Sequence, residues 1–144
     1  MKYSQSIEIS LPRERVIELL DNPENMKHWQ PGLVSYALIS GDAGKPGAKM
    51  KLHYKMGKRE IEMVETIIVR SFPEEFSATY EAKGVWNKVE NFFTEPRDGV
   101  TIWRSDNEFQ MKGFMKIMAA VMPGAFKKQS YKYLKLFKEF AEKS

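Results

Sequence analysis

Glu65 is the residue whose type and position are best suited to chemistry. In a strand over residues 61–69 it falls in line with Ile61, Met63, Ile67 and Val69, the side that faces the interior. A carboxyl desolvated there holds its proton more tightly and suits a general acid or base, or an anchor for a polar ligand group. A bulge turning it outward, or a lysine or arginine partner, would make it structural instead. Asn87, Asn91, Ser105 and Asn107 fall on the uncharged side of two later strands. They are placed either to orient a ligand within an apolar wall or to satisfy one another and buried water. Met111, Met115, Met118 and Met122 recur at spacings of four, three and four, a stripe that suits an adaptable pocket or ordinary packing. Tyr54, Tyr80 and Trp103 add aromatic walls.

Other chemistries lack their residues. The two histidines, His28 and His53, lie far apart and have no ligand spacing, so no metal site is expected. His53 alternates with lysines and is expected toward solvent, and His28 beside Trp29 is expected as a helix residue at an interface. No nucleophile-elbow sequence is present for a serine hydrolase. The glycine-rich stretch at residues 41–47 is followed by a strand pattern where a phosphate cradle needs a helix, and is read as a loop at a pocket mouth. With no cysteine there is no disulfide framework or thiolate nucleophile, which fits a reducing compartment. No cofactor is expected.

The 144 residues suit one domain spanning 1–144, and 42% hydrophobic with 29% charged residues is a globular composition. No apolar run approaches the roughly 20 residues that span a bilayer, and the start lacks a secretion signal pattern. The expected location is cytoplasmic. The net charge of +4 includes Lys127, Lys128, Lys132, Lys135 and Lys138 near the C-terminus, spaced as a solvated helix face. Nucleic-acid binding is not expected, because the aromatics mostly point inward and acidic residues dilute the lysines.

The elements that must position these side chains follow from periodicity. Residues 2–9 alternate, with Tyr3, Gln5, Ile7 and Ile9 on one side. Ser10 and Pro12 are helix start signals, Val16, Leu19 and Leu20 form the apolar stripe, and Asn22-Pro23 restarts a short helix ending near Trp29. Between residues 33 and 110, recurring turn signals divide five to six strands. The last hairpin, with its loop at Arg97-Asp98-Gly99, sets residue 93 opposite residue 103. Its inner face then carries Val85, Asn87, Val89, Asn91 and Phe93 against Trp103, Ser105, Asn107 and Phe109, and Trp86 and Phe92 fall on the outer face as exposed aromatics. The remainder is helical, broken at Pro123-Gly124. In its second part Phe126, Ser130, Tyr133, Phe137 and Phe140 form one buried stripe.

This order, with Ile7, Ile9, Pro12, Val16, Leu19, Leu20, Asp21-Asn22-Pro23, Trp29, Gly32, Gly41, Gly44 and Gly47, resembles the START-like superfamily, which includes birch pollen allergens, lipid-transfer domains and polyketide cyclases. The resemblance covers essentially the whole chain. It implies an α+β helix-grip fold, in which a curved antiparallel sheet of six to seven strands, with two short helices after strand 1, wraps a long C-terminal helix around a cavity. Members share a shape and not a reaction. The break at Pro123-Gly124 departs from the commoner continuous helix. The expectation is a carrier or binding domain for a hydrophobic small molecule such as a lipid, polyketide or aromatic metabolite. The alternatives are a cyclase, dehydratase or hydratase using Glu65, and a protein-binding domain like chaperone-ATPase activators of similar fold, contacting partners through Trp86 and Phe92. Ligand identity and oligomeric state are not set by the sequence.

Overall fold

A computed structural model describes residues 1–144. The chain runs β1 (Lys2–Ile9), α1 (Arg13–Asp21), a 3-10 turn (Pro23–Asn25), α2 (Met26–Trp29), then β2 (Leu33–Ser40), β3 (Lys49–Met56), β4 (Arg59–Ser71), β5 (Glu75–Ala82), β6 (Val85–Arg97) and β7 (Val100–Met111). It ends in α3 (Phe114–Val121) and α4 (Ala125–Glu142). The seven strands form one antiparallel sheet in the order β1-β7-β6-β5-β4-β3-β2. The meander thus supplies six strands, and β1 returns to pair with the last of them.

Alternation in β1 translates directly into burial, with Ile7 and Ile9 buried while Ser4, Ser6 and Glu8 are exposed. The β6–β7 hairpin has the expected register, Phe93 opposite Trp103. Its turn works because Gly99 sits at φ 79°, a left-handed conformation that a side chain resists. Asn22 caps the 3-10 turn, its side chain accepting the Glu24 N–H at 3.0 Å, and Pro23 follows as first residue. Pro123 separates α3 from α4, so the expected break is complete.

Three expectations need correction. Ser10 does not cap α1: Pro12 is the N-cap residue, and the Ser10 N–H donates to Glu142 at 2.8 Å. A β-bulge between Ile67 and Val69 reverses the alternation, so Val69 pairs with Ser77 on the outer side and no longer lines up with Glu65. Trp86 and Phe92 are half-buried, not exposed, because on the outer face the Arg104 guanidinium covers the Phe92 ring at 4.6 Å and Trp86 stands among long side chains of neighbouring strands.

The core gathers at one end of the concave face. Ile7, Ile9, Val16, Leu19, Trp29, Phe93, Trp103, Leu134, Phe137 and Ala141 form one buried cluster. Phe137 is its hub, meeting Trp29 and Trp103 edge-on, both at 5.3 Å between ring centroids. Of the expected α4 stripe only Phe137 is buried, together with Leu134 and Ala141, while Phe126, Ser130, Tyr133 and Phe140 are half-buried. Arg70 fastens the other side through a bidentate pair to Asp21 at 2.7 and 2.6 Å. No helix is long and apolar enough to cross a membrane.

Candidate functional site

Antiparallel pairing places paired residues on the same face. Met50 pairs with Glu65, Glu65 with Tyr80, Tyr80 with Asn87, and Asn87 with Phe109. One inward row therefore crosses from β3 to β7 with Glu65 near its middle. The bulge in β4 falls after Ile67, so Glu65 keeps the orientation its strand pattern implies.

This row is less buried than the packed end, although Leu52, Tyr54, Ile67 and Ala78 on the same face beside it are buried. Helix α4 packs along β1 and against α2, and no comparably extensive contact joins it to β3, β4 or β5. Phe93 and Phe137 in the packed end are at most 1% exposed. Glu65, Tyr80, Asn87, Val89, Phe109, Met115, Met118 and Tyr133 are by contrast only half-buried. Phe109 closes one side by stacking near Tyr3 and packing on Phe126 at 5.1 Å.

Glu65 is the acid of this region. Burial raises its pKa, and the Tyr80 hydroxyl, a donor to the carboxylate, offsets part of that rise. Tyr80 is itself pushed well above the ordinary phenol value, first by burial and then by the neighbouring Glu65 charge. Tyr54 is raised by burial, then by Tyr133 and Glu65, and Tyr133 by burial. Burial thus shifts the carboxyl and all three phenols toward their neutral forms. Tyr54 is also anchored, donating to Gln30 Oε1 at 2.6 Å. No lysine or arginine contributes to the Glu65 shift.

The remaining expected residues divide by what they touch. Trp103 donates from Nε1 to Asn91 Oδ1 at 2.8 Å, and both are buried at the packed end. Asn107 donates to Ser105 Oγ at 3.1 Å, and Asn87 donates to the Glu108 carbonyl at 3.1 Å. These amides largely satisfy the protein's own groups. Met115 and Met118 lie on the half-buried side of α3, whereas Met122, at its C-terminal cap, is exposed and stands apart from them.

Two residues escaped the sequence reading as site candidates. Tyr133 shows there only as a member of the helix stripe, and its link to Tyr54 depends on how α4 crosses the sheet. The buried Trp29 Nε1 has no hydrogen-bond partner, a property no spacing reveals. The histidines stay outside the site. His28 stacks on Phe140 at 5.0 Å, and His53 stands on the outer face beside Glu60 and Glu62. No cluster of three or more metal-ligating side chains is present.

Two surface concavities are separate from this region. One of about 370 Å³ lies among the outer-face residues Lys2, Ser4, Glu90, Asp106 and Glu108, and one of about 150 Å³ lies between Pro23, Lys27 and the start of β2. Neither is lined by Glu65, Tyr80 or Tyr133.

Comparison with known proteins accords with this geometry. A conserved protein from Geobacillus kaustophilus superposes with a TM-score of 0.85 at 18% identity, covering 100% of this chain and 97% of the other. The Zhui aromatase/cyclase from Streptomyces sp. R1128 gives 0.76 at 11% identity, covering 99% and 93%. A START superfamily protein from Mycobacterium smegmatis gives 0.76 at 11% identity, covering 99% and 97%. At these identities the likeness establishes the helix-grip fold and nothing finer. No curated protein sequence matches the chain at a significant level. The sequence profile described as "Polyketide cyclase / dehydrase and lipid transport" matches residues 1–138, and the chain therefore belongs to that family.

Proposed function

We propose that this domain binds and carries a hydrophobic small molecule, such as a lipid, polyketide or aromatic metabolite, between the concave face of β3–β7 and the helices α3 and α4. The observation that carries this reading is the unequal filling of the inner face. Side chains around Phe137 exclude solvent, while the inward row through Glu65 stays half-buried because α4 leans on β1 and α2. Covering that apolar surface with a ligand would contribute roughly 25 cal/mol per Å² before association costs. The Glu65 carboxyl and the Tyr80 and Tyr133 phenols would hold the ligand's polar end by hydrogen bonds.

The second reading is an enzyme of the cyclase or dehydratase kind, favoured by the unpaired Glu65 with its raised pKa beside Tyr80. In it the carboxyl would move a proton at the substrate while Tyr80 steadied the developing charge. Native mass spectrometry of protein purified without detergent, followed by thermal-shift screening against lipids and aromatic polyketides, tests the carrier reading. A retained mass or a stabilising ligand is the expected result. Protein that is empty and indifferent to the whole panel would remove it. Turnover of a screened compound that is lost in Glu65→Gln, with binding retained, would favour the enzyme.

A further inference from the structure

Helix α3 is amphipathic in an inverted sense. Its half-buried side carries Met115 and Met118, and its solvent side carries Phe114, Ile117 and Val121, exposed by 68%, 61% and 71%. Spacings of three and four put these three on one ridge, and exposed Met122 extends it. Contiguous exposed apolar surface of this kind marks a contact site.

The helix is held firmly enough to present that ridge. The Lys112 N–H donates to the Gly84 carbonyl at 2.9 Å, tying the end of β7 to the β5–β6 turn. At Gly84 a side-chain carbon would come within 3.3 Å of Met115 and 3.2 Å of the Lys112 carbonyl, so α3 lies close over that turn.

The surroundings of the ridge are basic. Lys112 and Lys116 flank it on its own segment, Lys83 sits in the adjoining β5–β6 turn, and Lys58 in the β3–β4 turn and Arg59 at the start of β4 lie at the same end of the sheet, all exposed. Glu60 and Glu81 are the acidic residues next to these turns, and each stands back along its strand. A projecting apolar helix ridge with a cationic rim matches an anionic bilayer surface, apolar side chains entering the acyl boundary while lysines meet the headgroups.

We infer that this end of the molecule docks peripherally on anionic membranes, with Phe114, Ile117 and Val121 inserted at the interface and Lys83, Lys112 and Lys116 on the phosphates. The occupant is a bilayer surface rather than a second copy of the chain, because a rim this rich in lysine would repel its own image. The inference rests on the outward side of α3 and is independent of what fills the inner space.

Co-sedimentation of the full chain with phosphatidylcholine vesicles, with and without phosphatidylserine, is the test. The wild type should sediment with the phosphatidylserine vesicles and much less with phosphatidylcholine alone. The double variant F114S/I117S should bind the anionic vesicles roughly tenfold more weakly or worse, and K112E/K116E should lose at least about tenfold on them. Added salt should reproduce the lysine effect. Unchanged melting temperatures verify that the variants fold, and V121S serves as a milder replacement if the double serine variant does not. Three results would overturn the inference: a wild type that stays in the supernatant, variants that sediment like the wild type, or a ridge whose substitution abolishes self-association in ultracentrifugation and leaves sedimentation with vesicles unchanged.

Discussion

The Glu95 carboxylate on β6 accepts the backbone N–H of Arg13 at 2.6 Å and so caps α1 across a sequence separation of 82. Its second oxygen accepts the Gly99 N–H at 3.2 Å in the β6–β7 turn. Both are charge-assisted bonds to otherwise free backbone donors, and they hold the Glu95 pKa below the usual carboxylate value. A depressed folded value contributes stability above the unfolded pKa that is lost as pH falls through the folded one. Glu95→Ala should therefore lower the melting temperature at neutral pH, and the difference from wild type should shrink on acidification. A gap independent of pH would show that the charge is not what caps the helix.

Glu65 has the opposite sign. Its folded pKa is raised above the ordinary value of 4.5 by burial, so the folded state binds the proton more tightly than the unfolded chain does. The resulting stability is fully present below the unfolded pKa and is lost as pH rises through the folded one. Glu65→Gln, which fixes the neutral form, should match wild type in acid and become progressively more stable than it on the way to neutrality. Melting curves across that range check this, and parallel curves would mean that the carboxyl is solvated.

Two truncations test the unequal packing of the inner face. Phe137→Ala removes the hub of the buried cluster and should cost about 3–5 kcal/mol in chemical denaturation. Met118→Ala, on the half-buried side of α3, should cost roughly 1 kcal/mol. Equal costs would mean that both ends are filled alike.

Asn91 is expected to act on structure before ligand. Asn91→Leu leaves the buried Trp103 Nε1 donor without its partner and should cost about 1–3 kcal/mol. Adding Trp103→Phe, which removes that donor, should make the combined loss smaller than the sum of the two single losses. Strict additivity in denaturation experiments would show that the 2.8 Å bond carries no coupling.

Much of the architecture was legible because its signals are local. Alternation in β1, the register that sets Phe93 against Trp103, and the Pro123 break each depend on a few neighbouring residues and are as expected, whereas Arg97, expected in the loop, pairs with Val100 beyond a bulge after Thr94. The inward side of Glu65 was legible for the same reason. The bulge after Ile67 was not, since a bulge inserts a residue without a distinctive local pattern, and it moved Val69 to the outer side.

What the sequence by itself determined is thus the type and order of elements and the face on which most strand residues lie, since period-two and helical spacing are properties of short segments. Only the tertiary structure decided which distant groups meet: Glu95 with Arg13, Arg70 with Asp21, Asn91 with Trp103, and Tyr133 near Tyr54. Those pairings arise from sheet curvature and from the line along which α4 crosses the sheet. Neither is encoded in any one stretch of chain, because both result from packing all of the elements together.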